Sequence, residues 1–118
     1  MTTPVRQDFT IKANGYWERT WQILNQGAPL DISTYSFELE LRNGVGHNAP
    51  SFLKLTVGNG ITITDAPNGK IFISIPPQIQ ITKKTVYNYD LLSIVNSKGY
   101  VWLEGTITFD PGVSYLGD

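Results

Sequence analysis

The stretch VYNYDLLSIVNSKGYVWLEGTITF, residues 86–109, is the most strongly patterned part of the chain. Apolar and polar residues alternate on both sides of NSKG, a glycine-containing turn at residues 96–99. Alternation with a period of two places successive side chains on opposite faces of a strand. The stretch therefore predicts a long β-hairpin, with strands at 86–95 and 100–109 and one face in a core.

The same alternation continues along most of the chain, and no helix of about ten residues can be drawn. In YSFELELR, residues 35–42, the aromatic and leucine side chains are predicted to face the core while the charged residues face water. Other strands are predicted at 9–13, 16–25, 36–42, 52–57, 61–64 and 70–75.

Pro76 and Pro77 cannot donate to a strand ladder, so PPQIQITKKT, beginning at Pro76, is predicted to cross between sheets. Together these features predict an all-β fold, an immunoglobulin-like β-sandwich of seven to eight mostly antiparallel strands.

Length and composition predict one soluble domain. The chain has 118 residues, so we expect a single sandwich over 1–118, with an N-terminal arm at 1–8 and a C-terminal tail at 112–118. There is no cysteine, which excludes disulfides, thiol nucleophiles and cysteine-ligated metals and is consistent with a reducing cytoplasm. No secretory signal or run of 18 apolar residues is present.

The charge distribution argues against nucleic acid and membranes as partners. The net charge is -1, and Lys83 and Lys84 form the only adjacent basic pair. Proteins that bind nucleic acid or a membrane surface normally carry a basic patch. We therefore expect neither nucleic acid nor a membrane as a partner.

The residue inventory argues against an enzyme. His47, the single histidine, has Ser51 four residues on, but no spacing suggests a third group to hold the base. Glu38 and Glu40 could form half of a carboxylate pair or a calcium site, although alternating charges on a wet strand face explain them. We expect no catalytic residue, cofactor or metal.

Asp90 lies inside a predicted strand and has two interpretations. It is either a buried acid with a shifted pKa, or a carboxylate that lies on the wet face or bonds a neighbouring loop, and we favour the second. In the favoured case Tyr87 or Tyr89 would supply the hydroxyl that fixes a crossover in sandwich domains.

Aromatic residues supply the candidate contact surface. Trp17 and Trp21 share a strand face and are predicted to be core, which requires Arg19 to reach water from a bulge or an edge strand. With Val101 facing the core, alternation sends Tyr100 and Trp102 outward, where a large indole commonly marks a protein contact or a stacking surface. The full candidate set is Tyr16, Phe72, Tyr100, Trp102 and Tyr115.

The ordered motifs of the chain resemble a domain of tailed bacteriophages, typified by the N-terminal immunoglobulin-like domain of baseplate upper proteins. The motifs are a Gly-x-Pro-x-Asp turn, a strand ending in Arg, a Gly-Ile-x-Ile strand, Tyr-Asp-Leu before a turn, and a closing Leu-x-Gly-x-Ile. The matching residues are Gly27, Pro29, Asp31, Arg42, Gly60, Ile61, Ile63, Gly69, Tyr89, Asp90, Leu91, Gly99, Leu103, Gly105 and Ile107. Asn25, Gln26 and Ile32 depart from the pattern.

The resemblance implies a virion attachment module. Because the chain ends just after the pattern, we expect a free-standing module that carries no receptor-binding domain and is assembled in the host cytoplasm. Its expected partners are other virion proteins of the tail, baseplate, neck or fibres, in a homo-oligomer or in multiple copies. Two alternatives remain open: a capsid decoration protein, and an adhesion module whose outward aromatic side chains stack on host glycan.

Overall fold

The computed structural model describes residues 4–46 and 48–113, which are almost entirely β-structure. These residues form eleven β segments and one 3₁₀ turn, with no α-helix among them. The segments are β1 (Val5–Arg6), β2 (Phe9–Lys12), β3 (Trp17–Gln22), β4 (Leu24–Asn25), β5 (Ala28–Pro29), β6 (Ser36–Arg42), β7 (Ser51–Val57), β8 (Gly60–Asp65), β9 (Lys70–Ile75), β10 (Thr85–Val95) and β11 (Lys98–Asp110), with the 3₁₀ turn at Ala66–Asn68.

The strands form one hydrogen-bonded path in the order β1-β11-β10-β6-β7-β8-β9-β3, with β2 also pairing with β11. Pairing is antiparallel except for β1 and β2 on β11 and for a two-residue contact between β7 and β8. The short β4–β5 hairpin stands apart from this path.

The path curls on itself, so that its two ends meet. The ring centroids of Phe9 in β2 and Trp17 in β3 are 4.9 Å apart, although these strands lie at opposite ends of the path. We call β1, β2, β11, β10, β6 and β7 the first layer, and β8, β9 and β3 the second layer. The prediction of an all-β, sandwich-like fold with mostly antiparallel strands is therefore confirmed.

The core lies between the two layers and follows the predicted alternation. Phe37, Leu39 and Leu41 of β6 are fully buried, as are the isoleucines of β9 at 71, 73 and 75. Burying each such side chain contributes about 1.5–3 kcal/mol. The segment between β9 and β10 contains no strand and passes from the second layer to the first, which confirms the predicted crossover.

Two local predictions are corrected by the backbone. The turn between β10 and β11 is made by Asn96 and Ser97, both with positive φ, while Gly99 lies inside β11 opposite Ile94. Part of the expected N-terminal arm is also ordered, because Val5–Arg6 pairs with β11. The Tyr89 hydroxyl bonds the Gln7 carbonyl, so it fixes this N-terminal segment and not the crossover between β9 and β10.

Candidate protein-contact surface

The five predicted contact residues do not lie on one surface. Tyr16 is 68% exposed, in the turn between β2 and β3. Phe72 is half-buried in β9, paired with Thr20 on one side and Thr62 on the other. Tyr100 and Trp102 are half-buried in β11, and Tyr115 lies outside the described residues.

A β-bulge reverses the predicted orientation of Tyr100 and Trp102. Leu91 pairs with Leu103 but Leu92 pairs with Val101, so Trp102 is the extra residue on β11. Beyond the bulge, Tyr100 lies opposite Ser93, which is completely buried. The expected outward orientation of Tyr100 and Trp102 is therefore wrong, because one inserted residue shifts the alternation.

The indole of Trp102 packs against the core. Its Nε1 donates a hydrogen bond of 2.7 Å to the buried Ser93 hydroxyl. A bonded indole nitrogen and a buried partner are typical of a structural tryptophan. Trp102 is thus a half-buried residue that packs against the core rather than an open stacking platform.

Three exposed apolar residues instead lie on segments that meet at the turn at residues 13–16. Tyr16 ends this turn. Ile79, which is 56% exposed, follows Gln78, whose backbone N–H donates to the Ala13 carbonyl at 2.7 Å. Val113, which is fully exposed, follows Gly112, where a Cβ would overlap the Asn14 side chain. We call Tyr16, Ile79 and Val113 the apolar turn surface.

Of this surface, the sequence predicted only Tyr16. Ile79 lies in a crossover and Val113 after the last strand, so neither belongs to an alternating pattern. The available signal was the presence of large apolar residues next to proline and glycine in turn segments, where polar residues are usual. Their proximity depends on hydrogen bonds between distant segments, such as Ala13 N–H to the Asp110 carbonyl at 2.9 Å.

A charged row crosses the outer face of the first layer, and all of its members except Lys54 line an open groove of about 450 Å³. Successive strands place Lys54, Glu40, Asp90, Glu104 and Arg6 opposite one another. Three carboxylates therefore stand side by side between two cations.

Ion pairs neutralise part of this row. The Arg42 guanidinium donates to Glu40 at 2.9 Å and to the Ala49 carbonyl at 2.6 Å, and Lys54 lies 3.6 Å from Glu38. A hydrogen bond from Ser51 and the charge of Arg42 lower the pKa of Glu40. Glu38 and Glu40 thus lie half-buried on the outer face, each in an ion pair.

Asp90 is exposed in this row, as the favoured interpretation predicted. Partial desolvation by its surroundings, followed by the negative charges of Glu40 and Glu104, raises the pKa of the Asp90 carboxyl. Both expectations for Asp90 thus hold in part: it is on the wet face, and its pKa is shifted.

The described residues present no metal centre. Among residues 4–46 and 48–113, no group of three or more histidine or carboxylate side chains is placed to hold a metal ion. No helix in the same ranges is long and apolar enough to cross a membrane. His47, the only candidate base from the histidine inventory, lies outside the described residues.

Comparison with protein-family models and curated sequences identifies no relative of this chain. Neither the models of protein families nor the curated protein sequences match this chain. The phage resemblance therefore stays a prediction from the sequence motifs.

Proposed function

We propose that the protein is a non-enzymatic structural component of a tailed-phage virion that docks to tail, baseplate, neck or fibre proteins as an adaptor. The observation that carries the docking part is the apolar turn surface, where three segments distant in sequence bring Tyr16, Ile79 and Val113 to one turn. Exposed apolar side chains that cluster in this way are typical of protein contacts.

The composition of this surface suits a protein partner. Tyrosine is enriched in interfaces because its ring buries a large area while its hydroxyl keeps a polar contact. Tyr16 is the largest side chain of the three and would act as the anchor, while Ile79 and Val113 would exclude water around it. Covering each aliphatic side chain would contribute about 1.5–3 kcal/mol before the costs of association.

The virion part of the proposal rests on the sequence motifs and on where those motifs lie. Gly69 has φ +71° after the 3₁₀ turn, and a Cβ there would lie 2.7 Å from the Ile23 and Leu30 carbonyl oxygens. At Gly105 a Cβ would meet the Gln7 carbonyl oxygen. Gly69 and Gly105, two of the five glycines of the phage-like pattern, thus occupy positions where a Cβ would collide with backbone, which supports a shared fold.

Capsid decoration remains the first alternative, because it would use an apolar contact surface of the same kind. Glycan binding has weaker support. Its main candidate was an outward Trp102, and that indole packs against the core and bonds Ser93.

The first test locates the protein in purified particles of the phage that encodes it. Mass spectrometry of tail and capsid fractions is expected to detect the chain with the tail fraction. Detection with the capsid alone would support decoration, and absence from washed particles would contradict the proposal. Saturable binding to host glycan, with no binding to either fraction, would favour adhesion.

The second test addresses the docking surface. Tyr16→Asp is expected to weaken binding to the tail fraction at least tenfold, because a charge replaces the anchor. Leu24→Asp is the matched control. Leu24 is also exposed, but it lies eight residues further along, beyond β3, or about 26 Å of extended chain. Equal losses for both variants would contradict a specific role for the apolar turn surface.

A further inference from the structure

The open edge of β3 carries backbone groups that no described strand pairs with. β3 pairs with β9 at six consecutive positions without a bulge. The Ile23 N–H donates to the Gly69 carbonyl at 2.7 Å, and Ile23 continues this register. Because the direction of backbone groups alternates along a strand, the odd residues point toward β9. Glu18, Thr20 and Gln22 therefore direct their N–H and C=O groups to the open edge.

The other edges of the two layers carry features that block strand pairing. The edge formed by β1 and β2 is interrupted at residues 7–8, and β2 ends in Lys12. β7 contains a bulge at Phe52 and carries Lys54, and β8 contains a bulge at Thr64. Breaks, bulges and lysines are the devices that protect edge strands from a second chain. β3 has no lysine, proline or bulge over its six residues, and its one core-side charge, Arg19, lies over the Phe9 and Trp17 rings.

We propose that β3 pairs antiparallel with β3 of a second copy of this chain, with Thr20 facing Thr20 across a two-fold axis. In a continuous sheet, core-side residues must lie opposite core-side residues, which excludes every register that mixes odd and even positions. The register centred on Thr20 places Glu18 opposite Gln22 of the second copy. All three edge-directed residues of each copy are then paired, and the two second layers join into one sheet of six strands.

Side chains favour this register over the one centred on Arg19. A two-fold axis at Arg19 would set two guanidinium groups directly opposite each other, which is destabilising. The axis at Thr20 instead places Arg19 opposite Trp21 of the second copy. Arg19 already lies 5.6 Å from the ring centroids of both Phe9 and Trp17, so a further aromatic contact extends an existing cation–π arrangement.

The β3 side chains on the outer face of the two copies are also complementary in this register. Glu18 of one copy lies opposite Gln22 of the other, and the carboxylate can accept a hydrogen bond that the amide donates. Both side chains are exposed and already oriented by bonds within their own copy, Glu18 from Ser74 at 3.0 Å and Gln22 to the Asn68 carbonyl at 3.0 Å. The contact is isologous, so it closes as a dimer.

The inference rests on the geometry of β3 and not on the proposed virion role. Its first experiment is a light-scattering mass over a wide dilution series. The wild-type chain is expected to give twice 13.2 kDa at high concentration. Thr20→Lys is expected to give the monomer mass, because two ammonium groups would face each other at the axis.

Thr62→Lys is the matched control for this substitution. Thr62 is exposed like Thr20 and pairs with the same Phe72, but from the opposite side of β9. This variant is expected to stay dimeric. The proposal would be overturned if the wild-type chain were a monomer at every concentration. It would also be overturned if Thr20→Lys and Thr62→Lys dissociated the dimer to the same extent.

Single cysteines test the register directly, because the chain has no cysteine of its own. Thr20→Cys is expected to form a disulfide-linked dimer under mild oxidation, since opposed residues have Cα atoms about 5.5 Å apart, within disulfide range. Thr62→Cys and Arg19→Cys are expected to stay largely unlinked. Crosslinking of Thr20→Cys no faster than that of Thr62→Cys would refute the two-fold axis at Thr20, even if a dimer exists.

Discussion

The hydroxyl of Tyr89 donates a hydrogen bond of 2.7 Å to the backbone carbonyl of Gln7, which lies 82 residues earlier in the chain. Tyr89 is in β10 and Gln7 lies between β1 and β2, so the bond passes across β11. Opposite Tyr89 on β11 is Gly105, where a Cβ would lie 2.1 Å from the Gln7 carbonyl oxygen. The missing side chain therefore lets the hydroxyl reach the N-terminal segment.

Removing this hydroxyl is expected to loosen the N-terminal segment. Tyr89→Phe keeps the buried ring but leaves the Gln7 carbonyl without this donor, which should cost about 1–2 kcal/mol of unfolding free energy. Urea unfolding measures the loss, and hydrogen exchange should accelerate at the Gln7 N–H, which bonds the Glu104 carbonyl at 2.8 Å.

Tyr87→Phe is the control for this change. Tyr87 is a buried tyrosine two residues away on the same strand, and its ring stacks on Phe52 with centroids 4.2 Å apart. No buried polar side-chain atom among the described residues lacks a partner, so its hydroxyl is not an isolated buried group. This variant should lose less stability than Tyr89→Phe. A larger loss for Tyr87→Phe would contradict the role assigned to the Tyr89 bond.

Adding a methyl group at Gly105 is expected to disturb the same junction. In Gly105→Ala the Cβ would overlap the Gln7 carbonyl and approach Asp8 Oδ1, which accepts from the Thr106 N–H at 2.9 Å. A backbone carbonyl cannot move aside as a side chain can, so we expect the free energy of unfolding to fall by about 1–3 kcal/mol. Gly99→Ala is the control, because its Cβ would meet only the flexible Leu92 side chain, at 3.1 Å.

A double-variant cycle separates a shared junction from two independent defects. If Tyr89→Phe and Gly105→Ala both release the Gln7 segment, their combined loss should be smaller than the sum of the single losses by about 0.5 kcal/mol or more. Additive losses would show that the two residues act separately.

The strand pattern was predictable from sequence because burial on one face imposes a period of two. β6, β9 and most of β10 follow it, and the exposed edge position of Arg19 was implied by its place between Trp17 and Trp21. The bulge at Trp102 could not be predicted, because one inserted residue in a ladder depends on the partner strand.

The candidate surface was less predictable than the fold. β1 has only two residues, which are too few to show an alternating pattern of apolar and polar side chains. Its position in the sheet depends on Gly105 and Tyr89, which are about 100 and 83 positions further along the chain. Ile79 and Val113 join Tyr16 through contacts between segments far apart in sequence. A single sequence shows the local pattern of such residues but not which distant segments meet.

The turn between β10 and β11 offers a stabilising substitution. Asn96 and Ser97 have φ of 51° and 62°, as in the type I′ turns in which Asn-Gly is the preferred pair. A left-handed serine costs about 1 kcal/mol, so Ser97→Gly should raise the unfolding free energy by up to that amount. Thermal unfolding provides the measurement. Ser36→Gly, in the exposed start of β6, should instead lose about 0.5–1 kcal/mol. Destabilisation by Ser97→Gly would contradict the turn conformation.

Within the charged row on the outer face, Asp90 contributes a penalty to stability that grows as the pH rises. Desolvation and the charges of Glu40 and Glu104 raise the pKa of Asp90 above 3.8, so the folded protein holds this proton more tightly than the unfolded chain. The penalty is absent well below pH 3.8, grows between that pH and the folded-state pKa, and is complete above the folded-state pKa. Asp90→Asn should therefore unfold at a higher temperature than wild type at neutral pH, by less than about 1 kcal/mol because the side chain is exposed and screened by salt. The gain should shrink at low pH and at high salt. Glu38→Gln, which removes a carboxylate 3.6 Å from Lys54, should give no such gain, and an equal gain from both variants would refute the role of Asp90.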